Sequence, residues 1–501
     1  MSFEARLQQV RQGFDDSDTI DDLARDALAE GEEERAIPLV LAAAKERTEP
    51  LLWQWAGLLN RALDEHAVAL ECFAVAARLA PGDAKIAYGQ AQIALEAGLD
   101  ATALYEQARV LALGDPQVLM GLTAARMAAG QSPLAVSALE AILESAPLWT
   151  EGHLQLAQLR SLLGEPGRVS ASLDRAIAKH PGEVSLWRAL CDLHLRREAY
   201  EQLLDAVDRA DAAVPGASLD FYRAVATGEL GGQRADDLLS ADAVSANPGL
   251  AVWRLRHLLR QGNAAEALPL IDGELGSERR QATWPYAAVA WKLTGDPRGS
   301  WLEDQPDLVS IMDLGAELAP IERLAERLRA LHERSGQYMD QSVRGGTQTD
   351  GPLLSRIDPE IRSLRAVIVA AVERYISQLP APDPDHPLLA PPRNRRIRFS
   401  GSWSVRLRGG GRHSNHVHPQ GWISSALYLA LPKRADGEAS DAGWLTLGEP
   451  PVELGVALPP RAKIEPKVGR LVLFPSWMWH GTRPFAEGER LTVAFDIARP
   501  R

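Results

Sequence analysis

Three histidines stand within six residues, His413, His416 and His418, in GGGRHSNHVHPQGW. A fourth, His480, follows in FPSWMWHGT, and Arg490 lies ten residues beyond it. With 11 histidines in 501 residues, this density calls for a chemical explanation. Neutral imidazole is a ready metal ligand, and a His-x-His pair on an extended segment turns both rings to one side. A later histidine on a separate strand can close a facial set of three nitrogens. An open metal face beside an arginine suits an oxygen-activating iron site, with room for a chelating 2-oxo acid and O2 and a cation for the acid's far carboxylate. The plainer alternative is a histidine-rich surface loop that hydrogen-bonds or picks up stray metal.

Strands must carry these residues. From residue 395 onward the pattern is RIRFSGSWSVRL, WISSALYLAL, GWLTLGE, RLVLFP and RLTVAFDIA, separated by turn residues, as in a jelly-roll β-sandwich. Ahead of it, 317–333 reads as an amphipathic helix and YMDQSVRGGTQTDGPLL as a strand with turns. Residues 359–379 read as a second helix, striped by Ile361, Leu364, Ile368, Val372, Tyr375 and Leu379, before the proline-rich connector LPAPDPDHPLLAPPRN.

The first 300 residues repeat. Prolines recur at 81, 116, 147, 181, 215 and 248, with gaps of 35, 31, 34, 34 and 33 residues. Glycines recur out of phase at 98, 130, 164, 231, 262 and 295, with Arg197 in the skipped slot. The reading is one helix hairpin per repeat, Gly supplying the left-handed turn after the first helix and Pro breaking the chain after the second. This resembles the tetratricopeptide repeat. In copy 50–83, Trp53, Gly57, Ala69, Phe73, Ala76 and Pro81 fall on that family's positions; copy 150–183 matches with Leu156, Ala157, Val169, Leu173, Ala176 and Pro181. The expected organisation is a helical cap over 1–35, seven to eight hairpins over 36–300, a connecting helix over 301–334, and a double-stranded β-helix (jelly-roll) domain with flanking helices over 335–501. An array of hairpins offers a concave surface to a peptide or protein. His66, His153, His180, His194 and His257 lie on its helices without ligand spacing.

HVHPQGWISSALYLALP with GRLVLFPSWMWHGTRPF and ERLTVAFDI resembles the Fe(II)/2-oxoglutarate-dependent oxygenases, and in particular a family often fused to tetratricopeptide repeats. The resemblance spans about 335–501 and is specific in the histidine blocks and in RGGTQT. It implies Fe(II), 2-oxoglutarate and O2, with His416 and His480 as metal ligands and Arg490 as the clamp on the distal carboxylate of 2-oxoglutarate. Thr492, on the same side of its strand, and Tyr428, on the strand after the ligand loop, are implied cosubstrate contacts. The superfamily usually has His-x-Asp or His-x-Glu; here His418 stands in the acid slot. It is either a third ligand or an outer residue with another group completing the set. His413 is an outer or substrate-facing residue, or a plain loop histidine. Arg344, Gln348, Arg406 and Trp422 are further pocket candidates, although Trp422, Trp403 and Trp444 also read as core. The run Arg393, Arg395, Arg396, Arg398, Arg406, Arg408 and Arg412 either pairs with the acidic repeats or draws an acidic peptide to the site.

Bulk composition narrows the classes. A net charge of −13 argues against nonspecific nucleic-acid or anionic-membrane binding. No stretch approaches the roughly 18 apolar residues of a membrane span, and no leader pattern opens the chain. Cys72 and Cys191 suggest buried thiols, so a cytoplasmic setting is the default expectation. Three functions remain: an oxygenase hydroxylating a peptide or protein recruited by the repeats, an oxygenase acting on a small molecule with repeats for assembly, and a repeat scaffold that has lost catalysis. A zinc hydrolase would use three histidines but leave Arg490 idle.

Overall fold

The computed structural model describes residues 1–13, 15–318, 320–333 and 343–500. Antiparallel helix hairpins run from the N-terminus to residue 294. Their turns follow the predicted chemistry. Gly98, Gly130, Gly164, Gly231, Gly262 and Gly295 all have positive φ, where a Cβ would be strained. In the skipped slot the left-handed residue is Glu198 (φ 54°), one place after Arg197. Small residues let the helices approach and a ring fills the gap: Ala69, Ala76 and Phe73 are fully buried in one cluster with Ile86 and Ile93.

Among the described residues the C-terminal part has nine strands: β1 (Ser310–Asp313), β2 (Val343–Gln348), β3 (Phe399–His413), β4 (Gly421–Ala430), β5 (Leu445–Leu447), β6 (Ala462–Ile464), β7 (Arg470–Pro475), β8 (His480–Thr482) and β9 (Glu489–Ala498). They form a six-stranded sheet ordered β1-β7-β4-β9-β3-β2 and a three-stranded sheet ordered β6-β5-β8, antiparallel throughout. Tyr428, Val472 and Phe474 of the large sheet pack on Leu445, Leu447 and Ile464 of the small one. Each of the five predicted strand segments contains a strand; β1, β6 and β8 are too short to show a pattern. β1 falls inside the stretch read as a connecting helix, whose helical part is Ile321–His332. The second helix is Pro359–Gln378, as its apolar stripe predicts. The part of YMDQSVRGGTQT before Val343 lies outside the described residues.

Solenoid and sandwich are not beads on a string. One apolar core runs from Leu255 through Trp284, Trp291 and Leu354 to Trp477, Trp479 and Ile497. Trp479 Nε1 donates to Pro285 O at 3.1 Å, and its ring meets Tyr286 edge-on at 5.7 Å. At the other end, Arg395 pairs with Glu32, Arg396 with Glu65 (2.6 Å), and Arg398 with Glu33 and Glu34. Arg356 Nη2 reaches Gly98 O at 3.3 Å. The solenoid thus touches the sandwich near both of its ends. The arginine run seals this contact: three of its members hold acidic residues of the first repeats. No helix among the described residues is long and apolar enough to cross a membrane.

Candidate metal centre

His416 and His480 face each other as a bridge between strands. Each backbone N–H donates to the other's carbonyl at 3.0 Å, which extends the small sheet past β8. Their ring centroids lie 4.2 Å apart. Gly481 permits this approach: a Cβ there would lie 2.0 Å from Asn415 Oδ1 and 3.1 Å from the carbonyl of His413. His418 is held by its own N–H to Ser476 O (2.9 Å), and its ring centroid is 5.0 Å from each of the other two. One ligand-type nitrogen from each of His416, His418 and His480 falls within 4.8 Å of the others.

The opposite ring nitrogens are tied back. His416 Nδ1 donates to Ser414 O at 2.8 Å and His480 Nδ1 to Met478 O at 3.0 Å. A carbonyl can only accept, so in the neutral ring each proton sits on Nδ1 and Nε2 carries none. His418 Nδ1 meets Asp496 Oδ1 at 2.9 Å and Oδ2 at 2.8 Å. Asp496 is 8% exposed and also accepts from Ser424 Oγ at 2.6 Å. Burial, reinforced by His418, pushes His416 down to about 3. Burial, reinforced by His416, drives both His480 and His413 well below the usual histidine value. These rings are neutral at ordinary pH, the form that binds metal.

Arg490 is 2% exposed, and no acidic side chain among the described residues pairs with it. Its Nε has no hydrogen-bond partner, and its guanidinium carbon sits 4.9 Å over the ring of Tyr428, whose hydroxyl is also without one. Burial lowers the Arg490 pKa, partly offset by Tyr428; burial raises that of Tyr428, offset by Arg490. A buried cation without an anion is costly to keep. It lines the same cavity, of about 560 Å³, as the three histidines. A donor set of three imidazoles and a buried guanidinium fits a metal chelated by a dicarboxylic acid.

Thr492, His413, Arg344 and Gln348 also line this cavity. Tyr428 lies behind Arg490 and not on the wall. Arg406 is not on the wall: its Nε donates to Glu489 at 2.5 Å, diagonally across the β3–β9 pair, where Glu489 stands opposite Arg408. Trp422 belongs to the core, its Nε1 donating to Leu388 O at 3.0 Å, so the substrate reading of this residue gives way to the core one. Trp403 goes the other way: it reads as core in the sequence, yet lines the cavity with its ring 5.5 Å from that of His418. Asp496 escaped the sequence reading although the signal was present. Arg490, Thr492 and Ala494 on β9 line the cavity, and Asp496 is the next residue of that period-two face. Arg197, Tyr200, Arg256 and Tyr286 of the repeats also line it, and no local signal marked them.

Residues 401–496 match the sequence profile of the family described as "Putative 2OG-Fe(II) oxygenase". A curated relative, cellulose synthase operon protein C of Pseudomonas fluorescens, is 25% identical over 219 residues, 41% of this chain; the chain spans 17% of that relative's length. Similar solved structures include a tetratricopeptide repeat protein from Parabacteroides merdae (12% identity, 44% of this chain and 88% of that one, TM-score 0.32). Another is a Pseudomonas putida prolyl-4-hydroxylase (20% identity, 38% and 92%, TM-score 0.27). Behind its helix-hairpin repeats, this chain carries a domain of the 2OG-Fe(II) oxygenase family.

Proposed function

We propose that the protein is an Fe(II)- and 2-oxoglutarate-dependent oxygenase that hydroxylates a peptide or protein substrate entering between the repeats and the sandwich. The observation that carries this reading is the buried Arg490, without an acidic partner among the described residues, on the wall that also bears the clustered His416, His418 and His480. His416, His418 and His480 would hold Fe(II). When bound, the iron supplies the oxidising chemistry that inserts one oxygen atom of O2 into a C–H bond while 2-oxoglutarate becomes succinate and CO2.

The chain's own residues do the rest. Ser414 O, Met478 O and Asp496 fix the three ring orientations through Nδ1. Asp496 would also hold the His418 proton on Nδ1 and leave Nε2 to take the metal. It places a carboxylate one ring away from the ion, where the superfamily usually has one bound directly. Arg490 would take the distal carboxylate of 2-oxoglutarate, with Thr492 beside it and the Tyr428 ring under the guanidinium. Phe474 and Trp403 limit water at the reacting centre.

Support for a macromolecular substrate is that the repeats form part of the cavity wall through Tyr200, Arg256 and Tyr286. A small molecule is the second reading, favoured by a cavity volume inside the usual range for such ligands. The test is succinate release by the full chain. It should require Fe(II), 2-oxoglutarate and O2, and vanish in His416→Ala and His480→Ala while the helical circular dichroism stays unchanged. Turnover retained in either variant would overturn the assignment.

A further inference from the structure

Two turns of the repeat array are unlike their neighbours, and one of them lines the cavity. At the equivalent position after the first helix, six repeats place a glycine in the left-handed region; this one places Glu198, at φ 54°. A side chain there strains the backbone, and such strain persists where the surroundings hold it and collects at functional sites. The turn is also where the solenoid meets the cavity: Arg196, Arg197, Glu198 and Tyr200 all line it, opposite the histidines. Asp64, the other non-glycine in this series (φ 59°), likewise faces the sandwich, accepting from Ser355 at 3.1 Å.

Charge on this wall is unbalanced. Glu229 is taken by Arg256 (2.8 Å) and Arg260 (2.7 Å). Glu198 stands 3.8 Å from Arg344. Arg196 is exposed, Arg197 half-buried, and neither has an acidic partner among the described residues. Of the other arginines on this wall, Arg256 pairs with Glu229 and Arg344 stands near Glu198. Two free guanidinium groups beside Tyr200 at the mouth of a reaction cavity are suited to carboxylates on an extended chain.

We infer that the turn Arg196–Arg197–Glu198 selects the substrate, a peptide segment bearing acidic side chains next to the residue to be hydroxylated. The inference rests on the oxygenase reading for the word substrate, and on the cavity and its charges for the rest. Arg196 and Arg197 pair with the flanking carboxylates. Glu198, held by Arg344, turns away basic neighbours. A nucleic acid is disfavoured by the overall negative charge, which a long polyphosphate meets along its whole length and a short acidic segment meets only at the cavity mouth.

The test uses the full chain and fluorescent, end-blocked hexaglutamate, with hexaglutamine and oligo-dT as comparisons, read by anisotropy with and without Mn(II) and 2-oxoglutarate. Hexaglutamate should bind about tenfold or more tighter than either comparison. The double variant Arg196→Ala, Arg197→Ala should lose about tenfold or more, on the order of 1.4 kcal/mol. The double lysine variant should recover part of this, since the charge remains without the planar fork. Mn(II)-dependent 2-oxoglutarate binding should be unchanged in both variants. Equal binding of hexaglutamine, tighter binding of oligo-dT, or an unaffected alanine variant would each overturn the inference. A wild-type chain that binds hexaglutamate through these arginines but never binds 2-oxoglutarate would overturn the oxygenase reading alone, and keep the turn as an acidic-peptide site.

Discussion

At the scale of single residues, two buried charges govern the site. Asp496 is anchored by Ser424 and bonded to His418, so it would act on a bound metal through that ring. Partners of this kind usually change metal affinity by about 10–100-fold. Asp496→Asn keeps the shape and removes the charge. It is expected to weaken Mn(II) binding by about tenfold or more in a calorimetric titration; unaltered affinity would remove Asp496 from the ligand scheme. Arg490 is the second charge. Lysine cannot reproduce its planar pair of donors, so Arg490→Lys should raise the dissociation constant for 2-oxoglutarate by about tenfold or more, roughly 1.4 kcal/mol per decade. Binding of the cosubstrate as tight as in the unaltered protein would disprove the clamp.

At the scale of elements, His332 docks the helix Ile321–His332 onto the large sheet. Its Nδ1 meets Thr347 Oγ1 of β2 at 2.9 Å and its Nε2 meets Ser404 Oγ of β3 at 3.0 Å. Burial, helped by Arg406, pushes this histidine down to about 4 from an ordinary 6.5. Above pH 6.5 it is neutral in both the folded and the unfolded chain. Between about pH 6.5 and 4 the unfolded chain takes up a proton that the folded one refuses, so stability falls as pH falls. The loss amounts to on the order of 2–3 kcal/mol for this group alone. His332→Gln should flatten the decline by about one proton when urea unfolding is followed across this range. A slope identical to that of the unaltered protein would show that His332 is already charged when folded.

At the scale of the whole molecule, the solenoid completes the sandwich. Trp284 and Trp291 share one core with Trp477 and Trp479, and Arg395 and Arg398 find their counter-charges on residues 32–34. A chain starting at residue 301 would expose that apolar face and leave those arginines unpaired. It is expected to lose cooperative thermal unfolding and bind a hydrophobic dye. A truncated chain that melts cooperatively and binds 2-oxoglutarate as tightly as the full one would contradict this. Contacts such as that between Glu32 and Arg395 span a distance along the chain that no local pattern encodes.

The sequence alone determined what repeats over short range. Proline and glycine spacing marked the hairpins, since a left-handed turn needs glycine at a constant phase. Alternating apolar residues marked the longer strands, and His-x-His with a later His and Arg marked the ligand and clamp candidates. Tertiary structure decided what depends on which strand lies beside which. The bridge between His416 and His480 brings the rings together across separate segments, and the tie from Asp496 to His418 crosses between strands. Trp403 and Trp422 look alike in sequence, and only the packing of helices and sheets sends one to the cavity and the other to the core. Arg196 and Arg197 sit in an ordinary helical pattern, and they reach the site because the solenoid curves back onto the sandwich, a consequence of summed hairpin packing rather than of any one repeat.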